Sequence, residues 1–130
     1  MLMNWIKTEE GFSKTVYKDI LGVPTFGYGF TSLEEDEAEL VLELKLSKLR
    51  KRIVSYLHNN EISLDSFRKD VLTDMAYNLG FDGMTKFRKM FEALKDMDYD
   101  RASKEMLDSQ WFKQVPNRCS LLAQRMKNGY

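Results

Sequence analysis

Apolar positions follow two different periods along this chain. From Leu2 to about Glu10, the residues Leu2, Trp5 and Ile6 recur at helical spacing and the pattern stops at Gly11, so a short helix is expected there. Residues Thr15 to Gly29 are rich in β-branched and aromatic side chains (Val16, Tyr17, Val23, Thr25, Phe26, Tyr28) and are punctuated by Gly22, Pro24, Gly27 and Gly29. That composition predicts a small irregular β-hairpin. From Ser32 the helical period returns. Ser32 with Glu35 three residues on is a capping-box pattern. Ala38, Leu42, Leu46, Leu49, Ile53 and Leu57 then form a stripe for one long helix.

After the His58-Asn59-Asn60 turn, four further helical stripes are expected. They are Leu64, Phe67, Val71, Met75 and Leu79; then Phe87, Met90, Phe91 and Leu94; then Ala102, Met106, Leu107 and Trp111; then Leu121, Leu122, Arg125 and Met126. The predicted fold is α+β and mainly α. It is read as one domain over residues 1–130, with a hairpin lobe at about 12–31, a linking helix at about 33–57 and a helical lobe at about 61–130.

Charge changes this picture in one place. Lys+Arg 20 balances Asp+Glu 20, which disfavours a dedicated nucleic-acid binder. Along the long helix, however, acids Glu34, Glu35, Asp36, Glu37 and Glu39 precede bases Lys45, Lys48, Arg50, Lys51 and Arg52. That order suits a helix macrodipole and a solvated helix face. From Gln110 onward Lys113, Arg118, Arg125 and Lys127 occur without an acid, so a basic C-terminal face is expected to attract an anionic wall. No apolar run reaches the roughly 18 residues of a membrane span, and the opening Met1–Ile6 lacks the features of a secretory signal. With one cysteine (Cys119) and one histidine (His58), neither a disulfide, a metal cluster nor a histidine triad is expected. Cys119 reads as a small buried hydrophobe.

The remaining chemistry rests on carboxylates, hydroxyls, amides and arginines. Glu10 ends the first helix beside Trp5, Ile6 and Phe12; apolar neighbours would raise its pKa, as a general acid requires. Asp19 lies in a turn before Gly22 and is expected to stay ionised. Thr25 supplies a hydroxyl that both donates and accepts. Two carboxyls in unlike environments suit glycosidic cleavage, although a helix-terminal acid, a turn acid and a strand threonine are common in any fold.

Longer strings add specificity. Glu10-Gly11-Phe12, Tyr17-Lys18-Asp19 and Gly22-Val23-Pro24-Thr25-Phe26-Gly27-Tyr28-Gly29 resemble the phage-type lysozyme, or endolysin, family of muramidases. Ala76-Tyr77-Asn78-Leu79-Gly80 and Ser109-Gln110-Trp111-Phe112-Lys113-Gln114-Val115-Pro116-Asn117-Arg118 resemble two segments of that family's helical half. The resemblance implies a lysozyme-like fold with Glu10, Asp19 and Thr25 lining a cleft. It also implies hydrolysis of the β-1,4 bond between N-acetylmuramic acid and N-acetylglucosamine. By resemblance Glu10 is the general acid, Asp19 and Thr25 hold the water, and Thr31, Tyr77, Asn78, Asn117 and Arg118 contact substrate.

Each substrate contact has a plainer reading. Tyr77 and Trp111 suit the core, Asn117 an N-cap after Pro116, and Arg118 a brace on a carboxylate. No cofactor or metal is implied. The expected partner is peptidoglycan glycan, met by a monomer with no nucleic acid and no stable membrane insertion. The implied setting is the host cytoplasm, with action on the wall after release.

Two departures stand out. Phe30 occupies the family's histidine position, and the chain passes from Gly29 to Ser32 without the further strand and loop of typical members. Those departures motivate one alternative, a lysozyme-like module that binds glycan or protein without cutting. A lytic transglycosylase is a further alternative, weakened because such enzymes need the acid but no water-holding Asp19 and Thr25.

Overall fold

In a computed structural model describing residues 1–130, α1 (Leu2–Glu10) ends at Gly11, whose N–H returns to the Lys7 carbonyl at 2.9 Å. Gly11 has φ 67° and ψ 163°. It therefore leads the chain directly into an extended strand and does not form the left-handed cap common at helix ends. Strands β1 (Ser13–Lys18) and β2 (Pro24–Gly27) pair antiparallel, with Tyr17 opposite Thr25, Lys18 opposite Pro24 and an irregularity between Ser13 and Tyr17. The backbones of Phe26 and Phe30 then exchange two hydrogen bonds, of 2.8 and 2.7 Å, which fold residues 27–29 into a tight return.

The chain divides into two compact units, Met1–Leu42 and Glu43–Tyr130. The first has almost no interior: Thr25, 4% exposed, is its one buried residue. Local contacts hold it together, namely the strand ladder, the Phe12–Tyr28 pair at 5.4 Å and the Phe26–Phe30 pair at 5.8 Å.

Helix α2 (Glu35–Asn59) is continuous over 25 residues, about 37 Å of axis. It starts three residues after Ser32, which does not cap it. The Glu37 carboxylate instead reaches back to accept the Glu34 N–H at 2.8 Å, the acidic half of a capping box shifted toward the acids. Burial grows along the expected stripe. Ala38 and Leu42 are exposed, Leu46 and Leu49 half-buried, and Ile53 and Leu57 buried. The bases at 45–52 sit in the middle of α2, and His58 is the basic residue of its last turn. The macrodipole, which acts within the terminal turns, therefore does not account for them.

The second unit holds the core. Helices α3 (Ser66–Leu79), α4 (Phe81–Thr85), α5 (Arg88–Lys95), α6 (Tyr99–Leu107), α7 (Gln110–Gln114) and α8 (Pro116–Asn128) surround a cluster that includes Leu72, Met75, Leu94, Met106 and Leu122. The expected four stripes become six helices for local reasons. Gly80 ends α3 and α4 follows at once. Ser109 breaks the expected 102–111 stripe: its hydroxyl donates to the Met106 carbonyl at 2.7 Å and accepts the Phe112 N–H at 3.1 Å, so α7 starts as a new helix.

Met75, Met84, Met90, Met106 and Met126 are all fully buried, and such flexible side chains suit the uneven gaps among short helices. Cys119 is buried with them, its thiol donating to the Met106 carbonyl at 3.2 Å, and burial pushes its pKa up to about 11. Arg68 ties the start of α3 to the end of α8. It donates to the carbonyls of Met126 (2.6 Å) and Lys127 (3.0 Å), pairs with Asp65 at 3.0 Å and stacks on Tyr99 at 3.5 Å. No helix is long and apolar enough to cross a membrane.

Candidate active site

All three residues of the expected catalytic set lie in the first unit, each held differently. Glu10 is the last residue of α1, and its carboxyl rests on the backbone of Gly29. A Cβ built at Gly29 would lie 2.8 Å from the Glu10 Cδ, closer than such atoms can approach. Gly29 also has φ 77°, a left-handed conformation that L side chains resist. Glycine at this position lets the end of α1 and the hairpin return meet at the carboxyl. The expected apolar shielding of Glu10 is absent, because Glu10 is exposed and α1 buries none of its residues.

Asp19 closes the β1–β2 turn. Its Oδ1 accepts the N–H groups of Leu21 and Val23, both at 2.8 Å, while its own N–H donates to the Val23 carbonyl at 2.9 Å. This is an Asx-type turn. One carboxylate oxygen is fixed by the backbone, and the other accepts no hydrogen bond from the protein. Thr25 is buried opposite Tyr17, and its hydroxyl donates to the Val23 carbonyl at 2.9 Å. The hydrogen is thereby committed, and the oxygen keeps lone pairs that can accept from a water. Asp19 and Thr25 are linked through a single residue, Val23, whose N–H donates to the Asp19 carboxylate and whose carbonyl accepts both the Asp19 N–H and the Thr25 hydroxyl.

Phe30 packs onto the same return. Its ring lies over Gly27, where a Cβ would meet the ring Cε2 at 2.7 Å, and stands edge-on to Phe26. It remains 44% exposed, so it braces the hairpin with about half of its surface. Thr31 follows it and is exposed.

In the helical unit Tyr77 is 49% exposed, which removes it from the core. The Asn78 Oδ1 accepts the indole N–H of Trp111 at 2.8 Å, which orients the amide and leaves its NH2 group as a donor. Trp111 itself is buried, edge-on to Phe87 at 6.2 Å, beside a cavity of about 560 Å3 lined by Leu79, Phe87, Glu105 and Gln114. Asn117 is exposed and lies second in α8, after Pro116 at the first position, so it is not the N-cap. Arg118 Nε and Nη2 both donate to Asp74 Oδ1, the first at 2.9 Å. The guanidinium thus braces α8 to α3.

Asp74, absent from the sequence-based set, is the residue that holds Arg118. Its one available signal was its place four residues before Asn78, on the same side of α3. Gly29, a turn glycine and the last residue of the hairpin string in the sequence, has the further role of making room for the Glu10 carboxyl. No group of histidine, cysteine and acidic side chains is disposed to hold a metal ion.

A mainly helical α+β chain, with a glutamate at the end of its first helix and a hairpin carrying a carboxylate and a buried hydroxyl, has the layout of a lysozyme-like glycosidase. Comparison with known sequences gives the family. The phage lysozyme family model matches residues 7–128, and the chain belongs to that family. It is 26% identical to a probable T4-type lysozyme 1 of Dictyostelium discoideum, over 98% of this chain and 94% of that protein. It is 29% identical to the pre-baseplate central spike protein Gp5 of Enterobacteria phage T4, over 83% of this chain and 18% of that much longer protein. The Dictyostelium alignment runs over 160 residues against 130 here, so that relative carries segments with no counterpart in this chain. At the level of the family this is a lysozyme-like muramidase, a glycoside hydrolase of peptidoglycan.

Proposed function

We propose that this chain hydrolyses the β-1,4 bond between N-acetylmuramic acid and N-acetylglucosamine with inversion, using Glu10 as general acid and Asp19 with Thr25 to hold the attacking water. The observation that carries this reading is the shared use of Val23. Its N–H anchors the Asp19 carboxylate and its carbonyl takes the Thr25 hydroxyl hydrogen. Two acceptors are thereby fixed on one short loop: the free carboxylate oxygen of Asp19 and the Thr25 Oγ1. A water donating to both is oriented for attack, and Asp19 receives its proton as the new bond forms. Glu10 delivers its proton to the departing glycosidic oxygen.

A transglycosylase, which closes the muramic acid ring internally, has no use for that pair of acceptors. Thr31, Tyr77, Asn78 and Asn117 present exposed donors and acceptors suited to N-acetyl groups, while Arg118 serves through its ion pair with Asp74. The enzyme acts as a monomer and reaches the wall after release from the cytoplasm in which it is made.

Digestion of purified sacculi followed by mass analysis tests the reaction. Reducing muramic acid ends are expected, and NMR of the first product should show the α-anomer. Anhydro-muramic ends would establish a transglycosylase, and wall binding without release a non-cutting module.

A further inference from the structure

The bases in the middle of α2 have neither a dipole nor, with one exception, an ion pair to account for them. No acid occurs between Glu43 and Glu61. Arg50 is taken by Asp70 at 3.1 Å and by the Ser66 hydroxyl at 3.0 Å. Lys51, Arg52 and, from the adjoining α3, Lys69 join no ion pair.

Around these cations lie two shallow, open depressions. One groove of about 410 Å3 includes Lys51, Arg52, Ser55, Asn59 and Phe81 in its lining; a second of about 570 Å3 includes Ser47, Lys51, Val54, Ser55 and Lys69. The two share Lys51 and Ser55. Ser47, Lys51, Ser55 and Asn59 follow one another at intervals of four residues, so they form a single polar line about 18 Å long.

We propose that this double groove binds a phosphodiester polyanion, a polymer of the glycerol phosphate type attached to some bacterial walls. Free cations spaced along a track, interleaved with hydroxyl and amide donors, match a chain of phosphates, each offering unbridged oxygens on several sides. The surroundings argue against two other polyanions. A single-stranded nucleic acid would need an open aromatic face for its bases, but the Phe81 ring is covered by Arg52 at 4.1 Å and flanked by Tyr56 at 5.9 Å. An anionic membrane rewards apolar insertion, whereas these shallow grooves contribute Val54 as their exposed aliphatic residue. The muramidase reading supplies only the setting in which the polymer is met; binding to free polymer, with no glycan present, is independent of it.

The test is a fluorescence titration of the whole chain with poly(glycerol phosphate) at several salt concentrations. Wild type should bind, with affinity falling as salt rises. Lys51→Ala/Lys69→Ala should bind at least about tenfold more weakly, with a salt slope shallower by about one to two. Lys51→Arg/Lys69→Arg should bind as wild type does. Unchanged circular dichroism is the check on folding, and hydrolysis of short soluble glycans should be equal in all three. The proposal is overturned if the alanine variant binds as tightly as wild type. It is equally overturned if polyglutamate of matched length, a single-stranded oligonucleotide or anionic phospholipid vesicles bind wild type more tightly than poly(glycerol phosphate).

Discussion

The hairpin unit and the helical unit are built on opposite principles. Every buried apolar side chain lies between Ile53 and Met126, in the helical unit, whereas the hairpin unit buries Thr25 alone. The helical unit gains its stability from removing Leu, Met and aromatic surface from water. The hairpin unit is held by strand pairing, one Asx turn and two aromatic pairs, interactions that contribute about 1 kcal/mol each. The proposed catalytic set sits entirely on the second kind of scaffold. Its precision therefore comes from hydrogen bonds to Val23 and a close contact at Gly29, and not from packing depth.

The contrast is most sharply tested by a pair of substitutions. Glu10→Gln should lower turnover on sacculi by about 10²–10⁴-fold, the usual range for loss of an acid catalyst, with almost no change in melting temperature. Near wild-type lysis by this variant would remove Glu10 from the mechanism. Met106→Ala should do the reverse in kind. It opens a cavity in the helical core and should cost about 2–5 kcal/mol in denaturant unfolding, while the surviving folded fraction keeps its turnover. Equal destabilisation by both variants would show that the two units are not energetically distinct.

Gly29→Ala is expected to fall between them. A left-handed φ disfavours alanine by about 1–2 kcal/mol, and the new methyl would push the Glu10 carboxyl away. Hydrogen exchange should quicken in residues 13–30 and stay unchanged in α3 and α8. The activity loss should appear in kcat and not in KM, and a wild-type kcat would show that the Gly29 contact does not position the acid.

The smallest effect belongs to Asp65, the N-cap of α3. Its carboxylate accepts the Arg68 N–H at 3.1 Å. Burial opposes its charge, but the Arg68 side chain and N–H outweigh that and hold its pKa below the ordinary value. A depressed pKa stabilises the fold above the unfolded-state value and the contribution disappears as pH falls through the folded-state one. Asp65→Ala should therefore cost about 1 kcal/mol near neutral pH, and the gap to wild type should narrow in urea melts below about pH 4. A gap that is constant with pH would show that the charge on Asp65 contributes nothing.

What could be read from the sequence divides along the same line. Helices α1, α3 and α5 and the hairpin were legible, because each depends on neighbours within a few positions: a period of 3.6, a glycine stop, or turn residues between β-branched and aromatic ones. Helix α8 begins at Pro116, five residues before the expected stripe, because a proline at the first helical position starts a helix as readily as it stops one. The start of α2 was misplaced because Ser32 and Glu37 offer competing caps, and local chemistry alone does not choose between them. The 102–111 stripe was read as one helix because periodicity is blind to a serine that bonds back to the preceding turn.

Beyond that reach lie the contacts that decide side-chain roles. Arg118 meets Asp74 from 44 residues away, Trp111 meets Asn78 from 33, and Arg68 meets Met126 from 58. Each is set by which helices pack side by side, and hydrophobic periodicity says which face of a helix is buried but not which partner covers it. The sequence by itself determined the hairpin, the long helix, most of the shorter helices and the residue types carried on each. Only the tertiary structure decided that Arg118 braces two helices, that Asn78 is oriented by an indole, and that the cations of α2 border open grooves, because those outcomes depend on distances that no local pattern encodes.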